Sequence, residues 1–136
     1  MPLKIALKPK EKLYIGGAVI MNGDSHSGFT VLNSTTILRE KDILTEETAT
    51  SPCRRIYLTI QLMYMDEDEN LTKHHKNYWL LVKDVVEAAP SFEGLMTEIS
   101  ELILADNYYK ALKLAKKLIE RETEVIKHAE ISSEYV

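Results

Sequence analysis

The chain has 136 residues, of which 45% are hydrophobic and 28% charged, a composition typical of a folded globular protein and unlike that of a disordered segment. Its formal net charge is −4, but the charges are unevenly distributed: up to Arg55 there are eight Lys/Arg and six Asp/Glu, and beyond it nine and fifteen. The single cysteine excludes an intramolecular disulfide framework, and no apolar run approaches the length of a membrane span. We therefore expect a cytoplasmic protein whose more basic N-terminal part favours a polyanionic partner.

Residues 1–45 have the pattern of a small antiparallel β-module. Leu3, Ile5 and Leu7 alternate with polar or small residues, which is the period of a half-buried strand. Asn22-Gly23 is a strong turn signal because both residues tolerate positive φ. Short strands are predicted within 2–8, 13–17, 18–21, 29–32 and 35–38. So many short strand edges usually need covering or pairing with another chain.

Residues 46–136 have the spacing of an all-helical domain. Ser51 and Pro52 predict the start of the first helix, as N-cap and first-turn residue. Apolar residues then recur every three to four positions, which predicts amphipathic helices. Breaks divide the stretch into about four helices, at 66–69, 90–91 and 106–107. The predicted fold class is therefore α+β, with a β-module at 1–45 and a helical domain at 46–136.

No catalytic constellation is evident in the sequence. His74 and His75 are adjacent on a predicted helix, so their side chains point about 100° apart and cannot share a metal as an i,i+4 pair does. We expect solvated histidines, with no metal or cofactor. Cys53 could be activated by the neighbouring arginines and the helix N-terminus, but a small buried hydrophobe is the preferred interpretation. The chain is predicted not to be an enzyme.

Two arginines, Arg54 and Arg55, fall in the first turn of a predicted helix. Cations there meet the positive end of the helix macrodipole, at a cost of about 0.3–1 kcal/mol each. Two interpretations stay open. One is an ion pair with an upstream carboxylate, at Glu46, Glu47 or Asp42. The other is a phosphate site, since the guanidinium fork matches phosphate oxygens.

A second basic feature lies on the last predicted helix. Its members recur at a spacing of three to four residues and are Lys110, Lys113, Lys117 and Arg121. Glutamates one turn away can pair with cations of this helix, so a solvated helix face is the preferred interpretation.

Many segments of the chain resemble the FlbT family of flagellar biosynthesis regulators. The segments are 3–9, 17–19, 22–23, 38–44, 50–57, 61–64 and 108–112, together with Glu11 and Ile15. Members of that family usually carry glycine where Lys10 stands. The resemblance implies a post-transcriptional regulator that binds the 5′ untranslated region of flagellin mRNA and influences its stability or translation, with repression as the expected sign.

A second resemblance lies inside the first. Residues 3–16 resemble the first two strands of the carbon storage regulator CsrA, and 38–40 resemble its last-strand RNA-contact motif. This resemblance implies a homodimer in which the first strand of one chain lies beside the last strand of its partner. Because a basic position of the CsrA first strand is Leu7 here, we expect either a lower affinity for RNA or a dependence on other cations, such as Arg54 and Arg55. The implied RNA-binding residues are Lys4, Ile5, Leu7, Lys8, Arg39, Arg54 and Arg55.

An interpretation from a different class stays open: a protein-interaction module or chaperone-like adaptor in flagellin export and flagellum assembly. The resemblance implies the co-regulator FlaF or a flagellin as its partner. The acidic helical domain favours this interpretation, whereas the charge split and the strand likeness favour RNA. Binding at rising salt concentration distinguishes the two, because contacts between cations and phosphates weaken steeply with ionic strength.

Overall fold

The structure, a computed structural model, describes residues 2–66 and 70–134. In these residues the chain forms five β-strands followed by four α-helices, which confirms the predicted α+β class. The chain divides into two compact units, Met1–Ile43 and Leu44–Val136, called here the β-unit and the helical unit.

The β-unit contains two small antiparallel sheets. The strands are β1 (Leu3–Leu7), β2 (Lys12–Ile15), β3 (Ala18–Met21), β4 (Ser27–Val31) and β5 (Ile37–Arg39). The first sheet pairs β1 with β4, and the second has the strand order β3-β2-β5. A short 3-10 turn, Glu40–Asp42, follows β5. Because β2 is the central strand of its sheet, β3 and β5 are both edge strands.

Tight turns in the left-handed region of φ connect these strands. Gly16 and Gly17 have φ of 57° and 93° and join β2 to β3, as a two-residue type I′ hairpin requires. Lys10 also has a positive φ, 62°, in the turn between β1 and β2. A side chain is strained in this region of φ, and glycine adopts it more easily.

Apolar residues from both sheets form the core of the β-unit. Ile5, Leu7 and Leu13 are buried, and Ile15, Val31 and Ile37 pack against them. Lys4 and Ala6 alternate with Ile5 and Leu7 along β1 and are exposed, which confirms the predicted alternation for these residues, whereas Leu3 at the start of the strand is also exposed.

The helical unit consists of α1 (Pro52–Met65), α2 (Leu71–Ala88), α3 (Glu93–Leu104) and α4 (Tyr108–Glu134), with a 3-10 turn at Pro90–Phe92. Helix α1 packs against both α2 and α4, and α3 packs against α4. Ser51 caps α1 as predicted, its Oγ accepting the Arg54 backbone N–H at 3.2 Å. Asp66 ends α1, and residues 67–69 of the predicted break lie outside the described residues.

Buried apolar side chains from all four helices form the core of the helical unit. Fully buried members are Ile56, Tyr57, Ile60, Tyr78, Met96, Ile99, Ile103 and Leu118. The Tyr78 hydroxyl lies 2.8 Å from Ser100 Oγ and thereby links α2 to α3. None of the helices in the described ranges has the combination of length and apolar character needed to cross a bilayer.

Candidate nucleic-acid interface

A groove of about 300 Å³ in the β-unit brings predicted cations together. Residues of β1, β4, the β1–β2 turn and the chain at the end of β5 line it: Ala6, Leu7, Lys8, Glu11, His26, Ser27, Arg39 and Lys41. We call it the cationic groove, because Lys8, Arg39 and Lys41 provide three positive charges against the single carboxylate of Glu11.

Two contacts hold the Arg39 side chain in this groove. Its Nη1 donates a hydrogen bond to the Ala6 carbonyl oxygen at 3.0 Å and lies 4.0 Å from Glu11 Oε2. Glu11 is fixed in turn, since its Oε1 accepts the Lys8 backbone N–H at 2.9 Å. The side chain of Arg39 remains 36% exposed. A guanidinium carries five N–H donors, so the exposed part of the Arg39 side chain can donate to a ligand.

Lys41 and His26 were not singled out from the sequence. Pairing of β1 with β4 places Leu7 opposite Ser27 and so brings the turn with His26 beside β1. The 3-10 turn after β5 carries Lys41. A pairing between strands far apart in sequence leaves no local signal, so only the fold reveals these two groove residues.

Lys4 lies on β1 and Lys8 directly follows this strand, but Lys4 lines a second groove. This groove, of about 330 Å³, is formed by the exposed surface of β1 and β4 and shares Ala6 with the cationic groove. Four residues of extended strand place Lys4 and Lys8 about 13 Å apart. The two lysines therefore flank one continuous surface along β1.

Ile5 and Leu7 do not present their side chains to this surface. They are 4% and 3% exposed and belong to the core of the β-unit. Their assignment to an RNA-binding surface stays a prediction. Any ligand contact at these positions would involve the backbone.

Arg54 and Arg55 belong to the helical unit, in the first turn of α1. Arg54 is half-buried and its Nη1 lies 3.4 Å from Ser51 Oγ, whereas Arg55 is exposed. In the described residues neither forms an ion pair with Glu46 or Glu47, two of the three upstream carboxylates considered from the sequence.

A buried glutamate from α4 accepts hydrogen bonds at the start of α1. Glu122, on α4, is only 8% exposed; its Oε1 accepts the Ser51 hydroxyl at 2.5 Å and its Oε2 accepts the Cys53 backbone N–H at 3.0 Å. A carboxylate is favourable at a helix N-terminus, where it satisfies unpaired N–H groups. The sequence carried one overlooked signal: Glu122 follows Leu118 by four residues and so continues the apolar stripe of α4.

The structure contradicts the prediction made for His74 and confirms the one made for Cys53. His74, predicted to be solvated, is 8% exposed, and its Nε2 lies 2.8 Å from Asp66 Oδ2; that prediction is wrong because His74 faces the end of α1. Cys53 is buried, as predicted. Burial, together with the charge of Glu122 and its hydrogen bond, raises the pKa of Cys53 to about 12, so the thiol stays protonated at neutral pH.

The basic stripe of α4 is partly occupied by aromatic contacts. Lys113 Nζ lies 4.7 Å from the centre of the Tyr109 ring, and the Arg121 guanidinium lies 5.9 Å from the centre of the Phe92 ring. These contacts place the cations against the protein's own surface.

Comparison with known proteins agrees with the resemblance noted in the sequence. The family described as flagellar protein FlbT matches residues 3–126. The chain belongs to this family. A relative from Rhodopseudomonas palustris, named a probable flagellum biosynthesis repressor protein FlbT, is 44% identical over 126 residues, which cover 93% of this chain and 98% of the relative.

Other relatives carry similar names. The flagellum biosynthesis repressor protein FlbT of Caulobacter vibrioides is 38% identical over 130 residues, covering 94% of this chain and 92% of the relative. A probable repressor of the same name from Mesorhizobium japonicum is 29% identical over 119 residues, which cover 85% of this chain and 79% of the relative. No solved structure matches the chain. The likeness of the β-unit to CsrA therefore stays a prediction.

Proposed function

We propose that this protein is a repressor of flagellum biosynthesis that acts after transcription, by binding the 5′ untranslated region of flagellin mRNA through its β-unit. Membership of the FlbT family and the repressor names of the relatives support the regulatory role. The observation that carries the RNA-binding part is the cationic groove, where Lys8, Arg39 and Lys41 converge around one carboxylate.

The groove suits an RNA strand for two physical reasons. Lys4 on β1 and Lys8 just after it can each meet a phosphate, and such contacts position the backbone without reading sequence. Arg39 is held by the Ala6 carbonyl and keeps donors for a phosphate or the edge of an unpaired base. The protein in this proposal selects and positions the RNA, and its effect on decay or translation follows from occupancy of the leader.

Replacement of Arg39 tests the groove directly. We expect Arg39→Ala to weaken binding of a fluorescent flagellin leader RNA by about 1–3 kcal/mol, measured by anisotropy titration. Arg39→Lys should recover part of the loss, because it restores the charge but not the planar fork. A matched control is Lys76→Ala, which removes an exposed cation from α2. Unchanged affinity in a folded Arg39→Ala protein would exclude the role.

The salt dependence of binding separates this proposal from a protein-only function. Lys8→Ala should lower the slope of log affinity against log salt concentration by about one, since one phosphate contact is lost. Thermal melting followed by circular dichroism checks that the variant is folded. A slope equal to that of the unaltered protein would show that Lys8 meets no phosphate.

A second candidate function rests on the helical unit. A groove of about 340 Å³ on this unit has a mostly apolar lining, including Val85, Phe92, Val125 and Ile126, of which the last two are about half exposed. Such a surface suits a protein partner. We propose as the alternative an adaptor in flagellin export or assembly, with a flagellin or FlaF as the partner; its binding would change little with salt.

A further inference from the structure

Strand β3 is an exposed, apolar edge. All four of its residues are exposed, with Val19 at 69%, Ile20 at 38% and Met21 at 60%. It pairs with β2 on one side only, and no strand in the described residues pairs with its other side. An apolar edge without a charge or proline is the type of strand that pairs with another chain.

The hairpin register shows which backbone groups this edge offers. Asn22 N–H donates to the Glu11 carbonyl at 2.8 Å, so this pair is hydrogen-bonded. In an antiparallel pair such positions alternate, and Leu13–Ile20 and Ile15–Ala18 are the next ones in the recorded register. Val19 and Met21 consequently direct their N–H and C=O groups away from β2, toward the free edge.

We propose that β3 pairs antiparallel with β3 of a second copy of this chain, about a two-fold axis at Ile20. In that register Val19 of one copy and Met21 of the other exchange two backbone hydrogen bonds, and the symmetric pair exchanges two more. Ile20 faces its counterpart at the closer, non-hydrogen-bonded spacing of about 4.5 Å between Cα atoms. The two three-stranded sheets then form one continuous sheet across the dimer.

Charge and composition favour β3 over the other edge strands as the interface between two identical copies, an interface called here the β3 seam. A strand that pairs with its own counterpart across a two-fold axis brings its charges close to identical charges. β1 carries Lys4, and β5 ends in Arg39, whereas β3 carries no charge. β4 is also uncharged, but Ser27, Gly28 and Thr30 make up most of its length and bury little apolar surface. This seam leaves the cationic groove, on β1 and the end of β5, outside the interface strands.

A cysteine at the axis provides the sharpest test. Ile20→Cys should form a disulfide-linked dimer under mild oxidation in the full chain, because the Cα spacing about the axis lies within the range of a disulfide. The native Cys53 is 1% exposed and does not compete. Phe29→Cys is the matched control, since Phe29 lies on the uncharged edge strand β4 with a similar exposure of 36%. Equal or faster cross-linking of Phe29→Cys would overturn the proposal.

A second variant tests the seam without a covalent bond. Val19→Lys should raise the dimer dissociation constant by roughly tenfold or more, because two valines leave the interface and two charges enter it. The control Leu32→Lys also replaces an apolar side chain with lysine, at a position that is 74% exposed and lies outside β3. It should leave the dimer dissociation constant unchanged. Sedimentation equilibrium measures both. A monomer at all concentrations, a dimer indifferent to Val19→Lys, or a strand from another protein at this edge would contradict the proposal.

Discussion

The surroundings of Cys53 raise the pKa of its thiol and so keep it protonated at neutral pH. Its position beside two arginines at a helix N-terminus is one that ordinarily lowers a thiol pKa. Burial opposes this, and the Glu122 carboxylate, which accepts the Cys53 backbone N–H, adds a negative charge nearby. Burial and Glu122 outweigh the opposing effect of Arg54, and the pKa rises to about 12 from an ordinary value of 9.0.

This shift predicts a loss of stability in alkaline solution. The folded protein holds the thiol proton more tightly than the unfolded chain does. The thiol's contribution to the free energy of unfolding is therefore intact below pH 9.0 and is lost as the pH rises toward 12. Between pH 9 and 10 the free energy of unfolding should fall by about 1 kcal/mol more in the unaltered protein than in Cys53→Ala. Urea denaturation at both pH values measures this, and equal declines would contradict it. Burial raises the pKa of Tyr78 from 10.0 to about 12, so this residue should lower the free energy of unfolding further as the pH rises above 10.

At the scale of single elements, the start of α1 depends on a residue from another helix. Ser51 supplies the local cap, but its hydroxyl and the Cys53 N–H both donate to Glu122 on α4. A carboxylate at this position is favourable because it faces the positive end of the helix macrodipole. Helix α1 therefore starts where its sequence predicts, and α4 stabilises that start through one buried charge.

Removal of this carboxylate should destabilise the helical unit. Glu122→Ala leaves the buried Ser51 hydroxyl and Cys53 N–H without their acceptor and should lower the free energy of unfolding by about 1–3 kcal/mol. Glu122→Gln keeps an acceptor and should cost less. The control is Glu124→Ala on the exposed face of the same helix, expected within about 0.5 kcal/mol of the unaltered protein. Urea denaturation compares all three, and similar losses for Glu122→Ala and Glu124→Ala would show that the cap contributes nothing.

At the scale of the whole molecule, the uneven charge suggests a division of labour between the units. The chain beyond Arg55 has nine Lys/Arg against fifteen Asp/Glu, which disfavours a phosphate backbone over most of that part. The stripe of α4 is the basic exception, and Lys113 lies over the Tyr109 ring. RNA binding by the proposed function should therefore depend on the β-unit.

Charge reversal in the helical unit checks this division. The double change Lys113→Glu and Lys117→Glu should leave the affinity for a flagellin leader RNA within about twofold. Both side chains are exposed, so the fold should tolerate the change. Anisotropy titration provides the measurement, with Arg39→Ala as the variant expected to respond. Abolished binding with an unaltered circular dichroism spectrum would place an RNA contact on α4 instead.

Local patterns in the sequence determined most of the secondary structure. The alternation of Leu3, Ile5 and Leu7 predicted β1, the Ser51-Pro52 pair predicted the start of α1, and the spacing of apolar residues predicted the helices. These features depend on contacts between residues a few positions apart, which a sequence displays directly. The segments that resemble the FlbT family likewise sufficed for the family assignment, which the match over 3–126 confirms.

Only the tertiary structure decided which side chains share a site. His26 reaches the groove because β1 pairs with β4, and His74 is buried because it meets Asp66 at the end of α1. Glu122 caps a helix that begins about seventy residues earlier in the chain. Each of these contacts joins residues whose separation in sequence carries no periodic signal. Burial and charge compensation at such points depend on how the elements pack, and that is a property of the folded chain.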